Sequence, residues 1–383
     1  MVAKTEQRVF VRTSDRTQFN KCRQAWWWSY VEARKPIGSW SPALVFGDMI
    51  HRSLAEYYIP ESFSGKKPGR KRKRGPHPAG TFAKIYDLMD RSHSQFNIKG
   101  DDDRWINARD MGVEMMENYV EEWREEDSDI IIIFPEMPFQ FDIFDPRDGA
   151  YLCTYVGTTD ALIRRRSTGD IGLFEHKTAA TINTDHLFID EQAGTYWALM
   201  PEWLLREEIF SKPVNFSFML YNYMRKGVKD QRPTNHLGQH LNMPTVQALK
   251  DECVRLGLPI PKGAKKEDLE KILILAKVNV DLLGEPSKTQ PAPLFHREFV
   301  IRTDIERQMT FQRIVEHVRD MNKVRAKHPD FPHYKTPNRD CGFCEWKDLC
   351  ELHEQGDDWK ELRRVATTKW DPYAIHVWAL DLA

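Results

Sequence analysis

Short runs of hydrophobic residues recur along the middle of the chain, and in residues 139–144 they alternate with polar residues, as is typical of β-strands. These runs predict strands at residues 130–136, 139–144, 151–156, 160–164, 171–177, 215–223 and 295–301. Two prolines, Pro135 and Pro138, predict a break between the first two strands, and residues 145–149 have the composition of a turn. The pattern therefore predicts a meander of strands that is followed by strands separated by helices.

Apolar residues spaced three or four apart predict amphipathic helices around these strands. Ile50, Leu54 and Tyr58 form such a stripe within residues 46–58. Ser14 is the predicted N-cap of an earlier helix, which would carry Cys22 and several aromatic side chains. Further helices are predicted for residues 82–126, for a segment from residue 184 or 185 to about 210, and for residues 303–327. Helices and strands together predict an α/β protein with a mixed sheet.

Residues 228–292 are polar at both margins and contain their own pair of short helical patterns, so they are predicted to be an insertion. The order of five residues in this pair resembles the SAP or helix-extension-helix type of DNA-binding module: Leu249, Gly257, Gly263, Lys265 and Leu269. The resemblance covers roughly 30 residues and implies contact with DNA. The alternative is a two-helix excursion that packs around an ordinary leucine core.

A basic run interrupted by glycine and proline occupies residues 64–76. Like charges repel each other, so the run predicts a loop. Clustered lysine and arginine side chains displace counterions from a nucleic-acid backbone, which would make the loop a phosphate contact. A loop that is merely solvated explains the same sequence equally well.

Composition limits the class of protein. A length of 383 residues suits one large domain or two ordinary ones. The hydrophobic share of 41% is enough for a buried core. Lysine and arginine number 56 against 57 acidic residues, which excludes a uniformly basic nucleic-acid coat but not a local basic groove. No apolar run reaches the roughly 18–20 residues of a membrane helix, and the charged N-terminus lacks the apolar core of a signal peptide. We expect a cytoplasmic protein of a bacterial or phage-infected cell, without a membrane partner.

Three charged residues on two adjacent predicted strands could form a metal site for phosphodiester hydrolysis. Glu175 and Lys177 share one face of their strand because side chains alternate, while His176 points to the other face. Asp160 on the partner strand could join them. One or two carboxylates suffice to hold Mg²⁺ at a phosphate, and a lysine beside them can orient the attacking water. The alternative is a surface Glu–Lys pair of little energetic value.

Four of the six cysteines follow a spacing that favours metal or cluster ligation over disulfides. Cys341, Cys344 and Cys350 lie close together near the C-terminus, and Cys22 lies far upstream. Zinc bound by four thiolates and an iron–sulfur cluster are the two candidates. The remaining thiols, Cys153 and Cys253, are expected to be buried or incidental.

Three ordered motifs resemble the RecB-type branch of the PD-(D/E)XK nucleases: Gly157-x-x-Asp160, Glu175-x-Lys177-Thr178 and Gln192-x-x-x-Tyr196. The resemblance implies that Asp160 and Glu175 bind Mg²⁺ or Mn²⁺ and that Lys177 assists the water. It implies that Gln192 and Tyr196 support the site and contact DNA.

The same branch has an upstream helix with a glycine and, four residues later, a metal-binding histidine. Gly47 and His51 match it. The resemblance also assigns the backbone carbonyl of His176 to the metal. An acidic residue on a preceding strand is frequent in the branch, and Glu136 is the candidate.

The cysteine pattern resembles the iron–sulfur subset of this branch, which includes the AddB nuclease domain and the CRISPR-associated adaptation nucleases. The resemblance implies that Cys22, Cys341, Cys344 and Cys350 bind a 4Fe–4S cluster, which would staple the first helix to the C-terminal segment. It implies a restriction-endonuclease-like mixed central sheet flanked by helices, with a terminal iron–sulfur lobe and a small helical insertion.

We predict five segments on this basis. They are an N-terminal helical part with Cys22 and His51 (1–60), a basic loop with helices (61–129), the nuclease core (130–227), the SAP-like insertion (228–292), and a final segment with a core strand and helix, the cysteines and the tail (293–383).

The expected activity is metal-dependent exonucleolytic cleavage of single-stranded or end-bearing DNA, in recombination, repair or phage DNA metabolism. The Gly-x-x-x-x-Gly-Lys-[Ser/Thr] loop of a helicase motor is absent from this sequence, which favours a stand-alone nuclease over a helicase–nuclease fusion. A recombination protein or a helicase is an expected partner. The alternatives are a CRISPR spacer-acquisition nuclease and a non-catalytic DNA-binding adaptor on the same fold.

Overall fold

The computed structural model describes residues 8–38, 42–59, 74–95, 105, 107–327 and 335–374. The chain divides into two compact units: Met1–Lys226 with Phe295–Ala383, and Gly227–Leu294. The predicted catalytic residues and the four clustered cysteines all belong to the first unit. Most of the basic run at residues 64–76, with its predicted loop and phosphate contacts, lies outside the described residues.

A six-stranded mixed sheet forms the centre of the first unit in the described part of the chain. The strands of the protein are β1 (Phe10–Val11), β2 (Arg34–Pro36), β3 (Ile130–Phe144), β4 (Tyr151–Arg165), β5 (Ile171–Ala179), β6 (Phe218–Arg225), β7 (Phe295–Val300) and β8 (Thr367–Lys369). The order in the sheet is β1-β4-β5-β6-β7, with β3 also paired to β4. The β1–β4 and β5–β6 pairs are parallel and the others are antiparallel. This sheet is the mixed central sheet predicted from the sequence.

The long strand β3 corrects one prediction, because it runs through both prolines without a break. Pro135 pairs with Ala161 and Pro138 pairs with Thr158 in the ladder with β4. Among the described strands, β3 pairs only with β4. Proline lacks the backbone N–H that residues of a central strand donate to a neighbouring strand. An edge strand tolerates this loss because one of its sides is unpaired.

Helices flank the sheet. They are α1 (Thr13–Lys21), α2 (Arg23–Trp26), α3 (Pro42–Tyr57), α4 (Pro78–Gln95), α5 (Ala108–Glu122), α6 (Glu191–Arg206), α7 (Val246–Arg255), α8 (Lys266–Leu275), α9 (Asp304–Arg325), α10 (Lys347–Gln355) and α11 (Trp359–Ala366). Within the described residues, no helix combines the length and the apolar character that crossing a bilayer requires.

The first helix differs from its prediction at both ends. It begins at Thr13 with Arg12 at the N-cap position, so the predicted cap at Ser14 is wrong. Cys22 does not lie within a helix, because its backbone is extended, with φ −160° and ψ 112°, and separates α1 from α2. Cys22 therefore sits at a corner of the chain rather than on an aromatic helix face.

Helix α6 begins later than predicted. The side chain of Asp190 accepts a hydrogen bond of 2.8 Å from the backbone N–H of Ala193, which makes Asp190 the N-cap. Residues Leu187–Ile189 before it form a 3-10 turn. The predicted start at residue 184 or 185 missed this cap because several polar residues in the segment could serve as one.

The second unit holds α7 and α8, which pack around a small apolar core: Leu249, Cys253, Leu269 and Leu273. The side chain of Thr245 caps α7 by accepting the N–H of Ala248 at 3.1 Å. Gly257 and Gly263 have positive φ angles of 67° and 78°, a backbone conformation that favours glycine. This leucine core is common to both interpretations of the insertion, so DNA binding by this unit stays a prediction.

Candidate active site

The predicted metal residues lie at a fork between two strands. Strands β4 and β5 pair from Arg164–Ile171 to Ala161–Phe174. Asp160 and Glu175 are the next residue on each strand, immediately beyond the last pair. Two carboxylates are thereby held by rigid elements at the point where the strands separate.

A histidine from α3 and an acidic residue from β3 join Asp160. The ring atom Nδ1 of His51 lies 3.1 Å from Oδ1 of Asp160. Ligand atoms of His51, Glu136 and Asp160 all lie within 4.8 Å of one another. The structure thus brings together the histidine and the acidic residue that the family resemblance suggested, although they lie far from Asp160 in sequence.

The backbone at Glu136 has a strained conformation. Its φ angle is +43°, which is uncommon for a residue with a side chain. Glu136 lies between Pro135 and Met137, which pair with Ala161 and Thr159, so it stands across the ladder from Asp160. Strain of this kind is found at functional sites, where the surrounding structure holds it in place.

Burial and mutual repulsion set the protonation of these groups. Burial and the charge of Asp160 raise the pKa of Glu136 to about 7. Burial also raises the pKa of Glu175 to about 7, although Lys177 opposes this rise. Burial disfavours the charged forms of both His51 and Asp160, but the attraction between their opposite charges outweighs this effect. The pKa of Asp160 falls to about 2, and that of His51 rises to about 9.

One oxygen of Glu175 is available for a cation. The Glu175 side chain is 2% exposed. Its Oε1 accepts a hydrogen bond from Lys177, but its Oε2 is buried and has no hydrogen-bond partner. Buried carboxylate oxygens are normally paired, and a divalent metal would satisfy this one. The donor set of carboxylates and one imidazole fits Mg²⁺ or Mn²⁺.

A chain of hydrogen bonds fixes the lysine beside this carboxylate. Nζ of Lys177 donates to Oε1 of Glu175 at 2.8 Å and to Oε1 of Gln192 at 3.0 Å. Nε2 of Gln192 donates to the hydroxyl of Tyr196 at 3.0 Å, and that hydroxyl donates to the carbonyl of Thr158 at 2.9 Å. The charges of Glu175 and Asp190 overcome burial and raise the pKa of Lys177 above its ordinary value. Lys177 is therefore a fixed cation.

Two glycines allow the elements of the site to approach closely. A Cβ at Gly157 would come within 2.7 Å of the Phe139 ring and 3.1 Å of the Tyr196 ring. A Cβ at Gly47 would come within 3.1 Å of Oγ1 of Thr178. The glycines of the sequence motifs thus let α6 and α3 pack directly against the strands that carry the site.

His176 contributes its backbone to this fork. Its N–H donates a hydrogen bond of 2.6 Å to Oδ2 of Asp160. Its ring is buried and hydrogen-bonded to Asn222, as expected for a side chain on the face opposite Glu175 and Lys177. The predicted role of its carbonyl as a metal ligand stays a prediction.

A groove of about 660 Å³ adjoins the site. One wall comes from the first helical turns and includes Thr13, Ser14, Thr17, Gln18 and Lys21, and the opposite wall comes from residues 156–158, 190–192 and 196. Arg16 on α1 connects the two walls, because its buried guanidinium donates hydrogen bonds to Glu191 at 2.9 Å and to Thr195 at 3.2 Å on α6. The sequence analysis missed Arg16, since no motif marks an arginine whose partners lie 175 and 179 residues away.

The four predicted cluster cysteines do not form a compact ligand group, because no three of their sulfurs lie within 4.8 Å of one another in the described part of the chain. All six cysteines of the chain are free thiols. Burial raises the pKa of the Cys344 and Cys350 thiols, and the nearby thiol of Cys22 adds to the rise in both. Cys341 adds to it at Cys344. Cys22, Cys344 and Cys350 pack against the main apolar core.

Tryptophans tie the two cysteine segments together. Nε1 of Trp346 donates to Oγ of Ser29 at 2.8 Å, and its ring lies 5.4 Å from that of Trp28. The pairing of β2 with β8 joins the same parts of the chain. These contacts hold the chain around Cys22 near the C-terminal cysteine segment, and whether the thiols bind a common group stays a prediction.

Comparison with known proteins agrees with this geometry. The model of the PD-(D/E)XK nuclease superfamily matches residues 13–351, which include the fork, α3, α6 and all four cysteines. A search among curated proteins finds no match for the chain. Because the match covers most of the 383 residues, the chain belongs to the PD-(D/E)XK nuclease superfamily and is by this membership a metal-dependent nuclease.

Proposed function

We propose that the protein is a DNA exonuclease that cleaves single strands or DNA with free ends. The observation that carries this proposal is the convergence of His51, Glu136 and Asp160 beside Glu175, whose buried oxygen lacks a partner. Recombination, repair and phage DNA metabolism supply such ends. CRISPR spacer acquisition is the alternative context for the same chemistry.

Each residue of the site has a role in this proposal. Asp160 and Glu175 supply oxygens and His51 a nitrogen to Mg²⁺ or Mn²⁺, and a bound ion would lower the pKa of a water and neutralise charge at phosphorus. Lys177 keeps its proton, so it orients the water and stabilises negative charge rather than acting as the base. Gln192 holds Lys177, and Tyr196 holds Gln192.

The groove beside the site supports binding of a single strand. Its lining carries both signs of charge, Arg12 and Lys21 against Asp190 and Glu191, and Lys21 is paired with Asp340 at 2.8 Å. The ring of Tyr30 also lines the groove, and proteins that bind single strands commonly stack bases on aromatic rings. Gln192 and Tyr196 are lining residues too, so a strand bound in the groove would lie beside the residues that hold Lys177.

Linear and circular substrates test the exonuclease proposal. In Mn²⁺, end-labelled linear single-stranded DNA should be degraded, whereas a circle of the same sequence should persist. The matched Glu175→Gln variant should cleave neither. Equal cleavage of the circle would replace the exonuclease by an endonuclease, and failure of the wild-type protein to cleave any DNA would favour the non-catalytic adaptor.

Activation by metal should depend on pH. Protons compete with the metal at Glu136 and Glu175, whose pKa values are raised to about 7, and at His51, whose pKa is raised to about 9. The Mg²⁺ concentration for half-maximal cleavage should therefore fall as the pH rises from about 6 to about 9, by up to tenfold per pH unit for each proton displaced. Mg²⁺ titrations of the cleavage rate across this range would show it, and a flat profile would contradict these assignments.

We further propose that Cys22, Cys341, Cys344 and Cys350 bind a 4Fe–4S cluster. Zinc bound by thiolates at about 2.3 Å would hold the sulfurs roughly 4 Å apart. In the described part of the chain, no three cysteine sulfurs lie within 4.8 Å of one another. The proposal therefore rests on the spacing of the four cysteines, which resembles the iron–sulfur subset of the RecB-type nucleases.

A further inference from the structure

A network of six buried polar side chains lies beneath the metal site, and no motif of the nuclease accounts for it. Its members, called here the buried polar network, are His176, Asn222, Arg297, Tyr58, Tyr119 and Asp127. Each side chain is at most 6% exposed. Burying so many polar groups is costly unless they are hydrogen-bonded, so such networks specify one arrangement of the elements that carry them. Nη1 of Arg297 makes no hydrogen bond, but it lies 3.7 Å from a carboxylate oxygen of Glu126.

Sheet register builds the first half of the network. His176 on β5 pairs with Asn222 on β6, and Asn222 pairs with Arg297 on β7. Nδ2 of Asn222 lies 2.8 Å from Nδ1 of His176, and Nε of Arg297 lies 3.3 Å from Oδ1 of Asn222. Three side chains on one face of three neighbouring strands thus form a continuous row.

The helical layer supplies the second half. Tyr58 directly follows α3, and its hydroxyl donates to Oδ2 of Asp127 at 2.8 Å. That hydroxyl lies 2.6 Å from the hydroxyl of Tyr119 on α5. Arg297 donates to Oδ1 of Asp127 at 2.7 Å and to the Tyr119 hydroxyl at 3.2 Å. The row of strand side chains is thereby bonded to the end of α3.

Counting donors fixes the direction of every bond. A hydroxyl has one proton, so Tyr58, which donates to Asp127, must accept from Tyr119. The amide of Asn222 donates to Tyr119 at 3.0 Å and to Nδ1 of His176, so this ring nitrogen is an acceptor. His176 is consequently neutral, in line with its burial, which lowers the pKa to about 3.

His176 connects this network to the metal residues. Its backbone N–H holds Asp160 at 2.6 Å. Its ring is stacked on Tyr58 at 5.9 Å and meets the ring of His51 edge-on at 5.8 Å. His51 lies on α3, and Tyr58 follows the end of that helix about two helical turns later. The side chain of His176 is thus enclosed by the helix that presents His51, while its backbone orients Asp160.

We propose that the buried polar network is a positioning device for the metal site. It locks the end of α3 to β5, so that His51 and Asp160 are held in binding geometry before the metal arrives. This role rests on the proposed function of the fork as a metal site. Partners that orient metal ligands from outside typically affect metal affinity by about 10–100-fold when they are removed.

Conservative tyrosine variants separate positioning from stability. Tyr58→Phe and Tyr119→Phe each remove one hydroxyl of the network and keep the ring. Tyr86→Phe is the matched control, because the Tyr86 hydroxyl is buried in the same helical layer and donates only to the carbonyl of Trp105, at 2.9 Å. Mn²⁺ affinity is measured by isothermal titration calorimetry on full-length protein, with thermal unfolding followed in parallel.

The two network variants are expected to bind Mn²⁺ about tenfold more weakly than wild type, and their cleavage rate should recover at saturating Mn²⁺. Tyr86→Phe should bind Mn²⁺ as wild type does, even if it unfolds at a lower temperature. Network variants that unfold at a lower temperature but bind Mn²⁺ as tightly as Tyr86→Phe would overturn the inference and leave a structural role alone. Wild-type protein that binds no Mn²⁺ would instead overturn the proposed function itself, and the inference with it.

Discussion

Replacing Lys177 by alanine should lower the rate of metal-dependent DNA cleavage by roughly 10²–10³-fold, the usual cost of removing one fixed donor that stabilises developing charge. Lys177 is the cation beside Glu175, and Gln192 holds it at 3.0 Å. Binding of Mn²⁺ should persist, because the ligand atoms of His51, Glu136 and Asp160 do not depend on the lysine. The variant therefore separates metal binding from catalysis, and single-turnover cleavage of labelled DNA measures the loss.

Lys323→Ala is the matched control for this change. Lys323 lies on the exposed face of α9 and pairs only with Asp320, at 3.0 Å in the described structure. Its replacement should alter neither the cleavage rate nor the melting temperature, since exposed ion pairs contribute little. A Lys177→Ala protein that is folded and cleaves DNA at the wild-type rate would remove Lys177 from the mechanism.

Cys22→Ser should have the second large effect, which is loss of the proposed cluster and of overall stability. Wild-type protein purified without oxygen should be brown, absorb broadly near about 400 nm and contain about four irons per chain. In the proposed cluster Cys22 would be the ligand that joins the start of the chain to Cys341 and its neighbours, so the cluster would close a very long loop. Losing that closure removes a constraint on the unfolded chain, as with other crosslinks over long loops.

Cys253→Ser provides the comparison for the cluster. Cys253 is buried in the core of Gly227–Leu294, which belongs to the other compact unit. This variant should keep the visible absorption and the iron content of the wild-type protein. A colourless wild-type protein with one zinc per chain would show that the four thiolates bind zinc, and equal iron in both variants would exclude Cys22 as a ligand.

Local sequence patterns were sufficient to predict most of the sheet. Short apolar runs on either side of the turn at residues 164–170 identified parts of β4 and β5, because both faces of these strands are largely buried. The same reasoning placed a false break in β3. Proline removes one N–H and restricts φ, but it does not bend an extended edge strand, and edge position is a property of the whole sheet.

The ends of helices were less predictable. Asp190 caps α6 through the N–H of Ala193, yet the preceding residues offered several other polar candidates. Cys22 was expected on a helix, whereas its extended backbone forms the corner between α1 and α2. Competing local caps and turns differ by small free energies, so tertiary packing decides between them.

The site was predicted unevenly for a related physical reason. Glu175 and Lys177 are two residues apart, so strand geometry alone places them on one face. His51 and Glu136 came only from family resemblance, because nothing local to either residue indicates that it meets Asp160. Asn222 and Arg297 went unnoticed, since their alignment depends on the register between β6 and β7.

The central claim is that the fork between β4 and β5 holds a divalent metal that drives DNA cleavage. The most direct measurement is the single-turnover rate of cleavage of end-labelled single-stranded DNA by wild type and by Asp160→Asn, each in Mn²⁺ and in EDTA. Asp160→Asn keeps the size of the side chain but removes the charge that pairs with His51. Wild-type protein should cleave the DNA in Mn²⁺ only, and Asp160→Asn should cleave it in neither condition. Cleavage by wild type in EDTA, or by Asp160→Asn at the wild-type rate, would contradict the central claim.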